Sequence, residues 1–150
     1  MYDSGTVANH FLRLARQQGK SLTPMQLLKL VYIAHGWSLG LYGLPLVRDE
    51  IQAWQYGPVI PNLYNRIRNY RSLPILTEVH SMGSDLGARE VDLVRQVFEI
   101  YGDKSGPALS RITHAEGTPW EKTYIPGSFG LTIPNDLIED HYKRLASRAA

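Results

Sequence analysis

The stretch from Thr23 to Leu41 constrains the fold more than any other part of the chain, because its residues describe a buried helix. It opens with Thr23, with Pro24 at the first helical position and with Gln26 three residues after the threonine, which is the pattern of a capping box. Apolar side chains then fall on nearly every face, and Lys29 interrupts the run too early for a membrane span. The pattern predicts the central helix of a mostly helical core.

Gly36 and Gly40 lie four residues apart in this helix, and each costs about 1 kcal/mol of helix propensity relative to alanine. We therefore expect another element to pack closely against them. The residues from Gly36 to Gly40 also fit the G-x-S-x-G pattern of hydrolases, but that pattern needs a strand before the serine and a sharp turn at it. A capped helix precedes Ser38 instead, so we interpret the match as coincidental. His35 is expected to be a hydrogen-bonded core residue.

Composition narrows the classes of function. The chain has 150 residues, 43% hydrophobic and 20% charged, which is typical of a globular protein, and this length predicts a single domain over residues 1–150. The absence of cysteine excludes disulfides, thiolate catalysis and cysteine-based zinc sites. Neither a secretory leader pattern nor a bilayer-length apolar run is present, so we expect no membrane contact and a cytoplasmic location. The net charge of +2 is too balanced to indicate nucleic-acid binding by itself.

Helical periodicity and turn residues predict the remaining elements. Further helices are expected over residues 4–18, 61–70, 88–101, 104–114 and from about 134 onward. Residues 46–47 and 51–54 flank a polar turn at 48–50, which predicts a short two-stranded hairpin. Residues 73–88 are expected to be loop, and 125–133 irregular or weakly extended. The predicted fold is mostly α: a compact single-domain helical fold around the central buried helix, with a small β-hairpin. In the helix over 88–101, the residues expected to face the core are Val91, Val94, Phe98 and Tyr101.

Two proline-containing connectors carry large aromatic residues. The first spans residues 53–61 and contains Trp54 and Tyr56, and the second spans residues 113–120 and ends at Trp120. Aromatic side chains are enriched at interface hot spots, so these three residues are candidates for binding a partner protein. The alternative is that they hold the connectors against the central helix.

A basic run follows the first connector, where Arg66, Arg68 and Arg71 are expected to point outward. These arginines are candidates for contacting an acidic protein surface or a phosphate backbone, although most charge runs on helices are simply solvated. Because no helix-turn-helix pattern accompanies them, nucleic-acid binding is a minor hypothesis.

His114 and Glu116 are the nearest approach to a metal or catalytic pair. A zinc site needs at least three protein ligands, and the other histidines lie at no ligand-like spacing. We therefore expect the pair to satisfy backbone groups around the turn before Pro119. A small metal-dependent or hydrolytic enzyme that uses these two residues stays open as an alternative.

Taken in order, the motifs resemble the Panacea-domain family, the SocA-like and phage-associated group of antitoxins. The matching patterns are T-P-x-x-L-x-K-L-x-Y-x-x-x-G-W over 23–37, A-W-x-x-G-P-V over 53–59, H-x-E-x-x-P-W over 114–120 and I-P-x-x-x-I-x-x-x-Y over 133–142. Each pattern is weak by itself, and together they cover nearly the whole chain.

This resemblance implies a mostly helical fold with a small β element, no known catalytic activity and no catalytic residue. We also expect no cofactor and no metal. It implies a role as an antitoxin that binds and neutralises a toxin protein encoded nearby. Some members deliver a toxin to a protease, so a proteolytic adaptor is the alternative role. The terminal Ala149 and Ala150 resemble a bacterial degradation tag, for which a frayed helix end is the simpler interpretation.

Overall fold

The structure is a computed structural model that describes residues 1–149, in which seven α-helices pack with three short strands. The helices are α1 (Ser4–Gln17), α2 (Pro24–Tyr42), α3 (Pro61–Ile67), α4 (Ala88–Tyr101), α5 (Gly106–Thr113), α6 (Pro119–Thr123) and α7 (Asn135–Ala149). The strands are β1 (Gln52–Trp54), β2 (Gly57–Val59) and β3 (Leu131–Thr132), and a single 3₁₀ turn, Arg68–Tyr70, follows α3. A mostly α fold with a small β element is confirmed.

Helix α2 lies at the centre, and α1, α4, α5 and α7 pack around it. Both bonds of the predicted capping box are present: the Gln26 amide donates to Thr23 Oγ1 at 3.4 Å, and the Thr23 amide donates to Gln26 Oε1 at 2.9 Å. The helix ends at Gly43, whose left-handed backbone (φ 68°) favours glycine. The predicted burial of this helix on almost all sides is confirmed.

Helix α7 approaches α2 most closely at the two glycines of the central helix. A Cβ atom at Gly36 would lie 2.2 Å from the Tyr142 ring, and one at Gly40 would lie 2.6 Å from Tyr142 Cβ. The expectation that another element packs closely at these positions is confirmed. Tyr142 is only 4% exposed there, with its ring 5.2 Å from the Trp37 ring in an edge-to-face arrangement.

The sheet corrects the predicted hairpin. Its strand order is β2-β1-β3 with both pairings antiparallel, and β1 pairs with β2 across the two-residue turn at 55–56. Val47 instead forms a parallel bridge with Tyr2. The predicted pairing of residues 46–47 with 51–54 was wrong, because Gly57 (φ 124°) turns the chain tightly and Pro58, which lacks an N–H, suits an edge strand.

Two helices also differ from expectation. Residues 119–123 form α6 rather than part of a connector: Thr118 caps it by accepting from the Glu121 amide, and Pro119 occupies its first turn. In α4 the buried side chains are Leu93, Val94, Val97 and Phe98, whereas Val91 is 41% exposed and Tyr101 is half-buried. The core-facing position predicted for Val91 was therefore wrong, whereas Val94 and Phe98 are buried and the half-buried Tyr101 packs against the core as predicted.

The long segment 71–87 has no helix or strand and is held against α1 by specific bonds. The Asn9 side chain donates to Val79 O at 2.9 Å and accepts from the Val79 amide at 2.8 Å. The Ile75 amide donates to Leu22 O at 2.8 Å. This loop is thus part of the packed structure and not a free linker.

Over residues 1–149, no helix combines the length and apolar character that a bilayer crossing requires. Ala150, the second alanine of the proposed degradation tag, lies outside the described residues.

Candidate partner-binding groove

The structure brings the aromatic residues of the two connectors together. Trp120 Nε1 donates to the backbone oxygen of Trp54 at 2.5 Å, which ties α6 to β1. The Trp54 ring lies 5.0 Å from the Tyr64 ring, edge to face, and 5.0 Å from the Phe129 ring. The Trp120 ring stacks on Tyr124 at 4.7 Å. Two aromatic clusters therefore meet where the connectors touch.

These clusters border a groove of about 730 Å³, a volume within the range of ligand pockets, between the start of α2, the β1–β2 hairpin and the segment before β3. Tyr56 and Phe129 are large aromatic residues on it that stay mostly exposed, at 67% and 77%. We call this feature the groove and define it by its main side chains, which are Met25, Leu28, Lys29, Trp54, Tyr56, Tyr64, Arg71, Tyr124 and Phe129.

Hydrogen bonds from α2 and α5 hold the hairpin turn that carries Tyr56. Lys29 Nζ donates to the backbone oxygens of Pro58 at 3.0 Å and Tyr56 at 3.4 Å. Ser110 Oγ, from α5, donates to the same Tyr56 oxygen at 2.6 Å. A Cβ atom at Gly57 would lie 2.8 Å from Lys29 Nζ, and the φ of 124° at this position favours glycine. The backbone of the turn is thus rigidly held while the Tyr56 ring stays in solvent.

Lys29 makes the floor of the groove electropositive. It is 3% exposed, and this burial lowers its pKa to about 8, so that at about pH 7 most of the amine remains protonated. Within residues 1–149, its hydrogen-bond partners are backbone oxygens and not carboxylates. A charge in this setting keeps most of its field, because little water screens it.

The three predicted arginines occupy different environments. Arg71 is exposed and lines the groove, whereas Arg68 is exposed but lies outside it. Arg66 forms a two-pronged ion pair with the buried Asp3, with nitrogen–oxygen distances of 2.6 and 3.0 Å. Burial raises the pKa of Asp3, but the hydrogen bonds and charge of Arg66 outweigh it, so the pKa ends below its usual value. The outward orientation predicted for Arg66 was therefore wrong, because its guanidinium secures the N-terminus of α1.

His35 has structural partners on both of its ring nitrogens. His35 is fully buried; its Nδ1 accepts from the amides of Leu46 and Val47 at 3.2 Å each, and its Nε2 lies 2.9 Å from Asn135 Oδ1. Burial lowers the pKa of His35, so the ring is neutral and Nε2 carries the proton. The prediction of a hydrogen-bonded core histidine is confirmed.

His114 and Glu116 do not form a pair that caps the turn. His114 Nδ1 lies 3.2 Å from Ser110 Oγ and its ring packs edge to face on Trp120, while Glu116 is exposed. The Gly117 amide in this turn donates to Glu121 Oε1 at 3.1 Å, so the role predicted for Glu116 belongs to Glu121. Over the part of the chain that the structure describes, no group of three or more histidines and carboxylates is placed to hold a metal ion.

Sequence reasoning placed Trp54, Tyr56 and Arg71 among the candidate residues but missed the rest of the groove. Lys29 had a detectable signal, since a lone lysine in an otherwise apolar buried helix needs a specific partner. Phe129 and Tyr124 had none, because they lie in an irregular segment about 70 residues away in sequence from the hairpin they meet.

Comparison with known proteins identifies the family of this chain. The family model "Antitoxin SocA-like, Panacea domain" matches residues 27–121, which run from the first turn of α2 through the hairpin and both connectors. The chain belongs to this family. A curated relative, "Antitoxin SocA" of Caulobacter vibrioides (strain NA1000 / CB15N), is 31% identical over 157 residues, covering 94% of this chain and 82% of the relative. Among solved structures, none matches the chain significantly.

Proposed function

We propose that this chain is an antitoxin that neutralises a toxin protein by binding it directly, with the groove as the contact surface. The observation that carries the proposal is the exposure of Tyr56 and Phe129 on a rigidly held framework, in a chain of the antitoxin family. Exposed aromatic residues on fixed backbone are the usual anchors of protein interfaces, because they bury large apolar area with little loss of conformational entropy.

The construction of the groove supports this role. The turn at Tyr56 is fixed by bonds from Lys29 and Ser110, so binding costs little ordering of the backbone. The G-x-S-x-G match does not compete with this interpretation: its serine, Ser38, is buried within α2, where its Oγ donates to Leu44 O at 2.6 Å. Because Ser38 lies within a helix, it lacks the strained strand-to-helix turn of a nucleophile elbow. Its hydroxyl proton is also already donated to a backbone oxygen.

A growth assay tests the proposal. Each gene adjacent to the gene for this chain is induced alone and then together with it. We expect one neighbour to arrest growth and this chain to restore it. If every neighbour is harmless, or if growth stays arrested when both proteins are produced, the antitoxin proposal fails.

The cellular half-life of the neutralised toxin then distinguishes two modes of neutralisation. Direct blockade predicts that the toxin remains abundant and copurifies with this chain. Delivery to a protease predicts that the toxin disappears when this chain is present and persists when the host protease is removed.

A further inference from the structure

The groove carries positive charge that no carboxylate among residues 1–149 pairs with. Its lining within residues 1–149 includes Lys29 and Arg71 but no aspartate or glutamate. Neither cation takes part in a salt bridge in this described part of the chain, whereas Arg13, Arg66 and Arg95, which lie elsewhere, each pair with a carboxylate. Because Lys29 is buried with only backbone oxygens as partners, the groove keeps a positive potential that is not cancelled from within.

The backbone at Arg71 is a second, independent observation. Arg71 has φ 58° and ψ −113°, and among residues 1–149 it is the one non-glycine residue with a positive φ. Glycine adopts such a conformation without a steric cost, whereas a Cβ atom makes it strained. The Arg71 side chain forms no ion pair that would offset this strain in the described structure. Strain of this kind, at a residue whose side chain lines a groove, points to a use for the guanidinium itself.

The apolar border indicates what kind of molecule carries the complementary charge. Tyr56, Phe129 and Met25 are 67%, 77% and 40% exposed, so the groove continues into an exposed apolar surface instead of closing over a ligand. Exposed apolar patches of this kind mark protein contacts more often than small-molecule sites, which bury most of their ligand. The combination favours a protein segment with both apolar and acidic side chains.

We propose that the groove receives an acidic segment of the partner protein, in which apolar side chains lie against Trp54 and Phe129 and a carboxylate pairs with the Arg71 guanidinium. This inference rests on the proposed function, since it describes the chemistry of the toxin segment that the antitoxin recognises. Arginine presents two parallel N–H donors that match a carboxylate, and the nearby Lys29 charge strengthens the attraction. The strained backbone of Arg71 is then a structural cost retained for recognition.

A peptide selection tests the inference without knowledge of the toxin. The full chain is used to select binders from a phage-displayed library of random linear peptides. Selected peptides are synthesised with their aspartates and glutamates intact or changed to asparagine and glutamine. Binding is measured for the wild-type protein, for Arg71→Gly and Arg71→Glu, and for the control Arg16→Glu. Arg16 is an exposed arginine on α1, a helix that contributes nothing to the groove.

We expect peptides enriched in acidic and apolar residues, at least about tenfold weaker binding by both Arg71 variants and unchanged binding by Arg16→Glu. Arg71→Gly should keep or raise the melting temperature while losing affinity, which a purely structural role for Arg71 does not produce. The affinity of the wild type should fall as ionic strength rises, and the amide-substituted peptides should bind weakly.

Several results would overturn the inference. Selected peptides without acidic enrichment, or binding that ignores Arg71, would remove the carboxylate contact. Displacement of the peptides by ATP, with tight ATP binding that depends on Arg71, would assign the groove to a nucleotide. A dimer by light scattering that Arg71→Glu dissociates would assign it to a second copy of this chain. In each case growth rescue by the wild type still reports separately on the antitoxin proposal.

Discussion

The contact between α2 and α7 allows a stability prediction that opposes helix propensity. Alanine in place of glycine inside a helix normally stabilises it by about 1 kcal/mol. At Gly36, however, the added Cβ atom would lie 2.2 Å from Tyr142 Cε2, whereas ordinary van der Waals contact begins at 3.4 Å. The Tyr142 ring would therefore have to retreat by about 1 Å, and it is buried beside the rings of Trp37 and Tyr32.

The expected size of the effect follows from these two opposing contributions. Overpacking of a well-filled core costs roughly 1–3 kcal/mol, and the propensity gain returns about 1 kcal/mol. Gly36→Ala should thus fail to stabilise the protein and should lower the free energy of unfolding by up to about 2 kcal/mol. For a chain of this size, that corresponds to a drop of up to roughly 1 M in the urea midpoint.

A double-mutant cycle in urea isolates the cause. Tyr142→Ala removes the ring that the new Cβ atom meets, and in that background Gly36→Ala should become stabilising by up to about 1 kcal/mol. A reversal of sign between the two backgrounds confirms the steric contact. If Gly36→Ala stabilises the wild-type protein, or has the same effect in both backgrounds, the packing of α7 on α2 is described wrongly.

Three further predictions concern charged and aromatic residues. The folded-state pKa of Lys29 lies below its unfolded value, so the unfolded chain binds the proton more tightly and stability increases as the pH rises. Chemical denaturation should show an increase of about 2 kcal/mol in the free energy of unfolding between about pH 7 and pH 9.5, and Lys29→Met should remove most of that increase. Arg66→Ala leaves the Asp3 carboxylate buried without its partner and should lower the free energy of unfolding by about 3 kcal/mol at neutral pH. Since the ion pair lowers the Asp3 pKa, this loss of stability should shrink as the pH falls below about 4. A loss that does not change with pH would contradict the ion pair. Trp54→Ala should lower stability by about 2 kcal/mol because its half-buried ring packs on Tyr64, and a melting curve identical to wild type would place Trp54 outside the packed framework.

The local elements of the fold could be predicted because their signals lie within a few residues. The capping box at Thr23 and Gln26 reports on a single turn of chain, and it is present. Helix α4 begins and ends where its periodicity predicts. The burial of α2 could also be predicted, because a helix that is apolar on nearly all sides has to be covered by other elements.

Strand pairing could not be predicted in the same way, because it depends on partners distant in sequence. Val47 pairs with Tyr2, and β1 pairs with β3 across nearly 80 residues, and no pattern within either segment selects the other. Helix α6 was missed because five residues are too short to show a helical period, and the cap at Thr118 was the remaining signal.

The candidate site, like the fold, could be predicted only in part from the sequence. Trp54, Tyr56 and Trp120 were selected as one group from their connectors, and the structure places them in contact or close to one another. The different environments of Arg66 and Arg71 could not be read from the sequence. They depend on where the N-terminus of α1 lies and on a backbone conformation at residue 71 that glycine, not arginine, would suggest.

The most direct test of the groove as the toxin contact is to measure the affinity of the toxin for this chain with and without the exposed Tyr56 ring. Titration calorimetry compares the wild type with Tyr56→Ala and with the control Tyr42→Ala, which removes a tyrosine that is 40% exposed at the far end of α2. We expect Tyr56→Ala to keep the wild-type melting temperature and to bind at least about tenfold more weakly, while Tyr42→Ala binds as the wild type does. Equal affinity for all three proteins would contradict the assignment of the groove as the toxin contact.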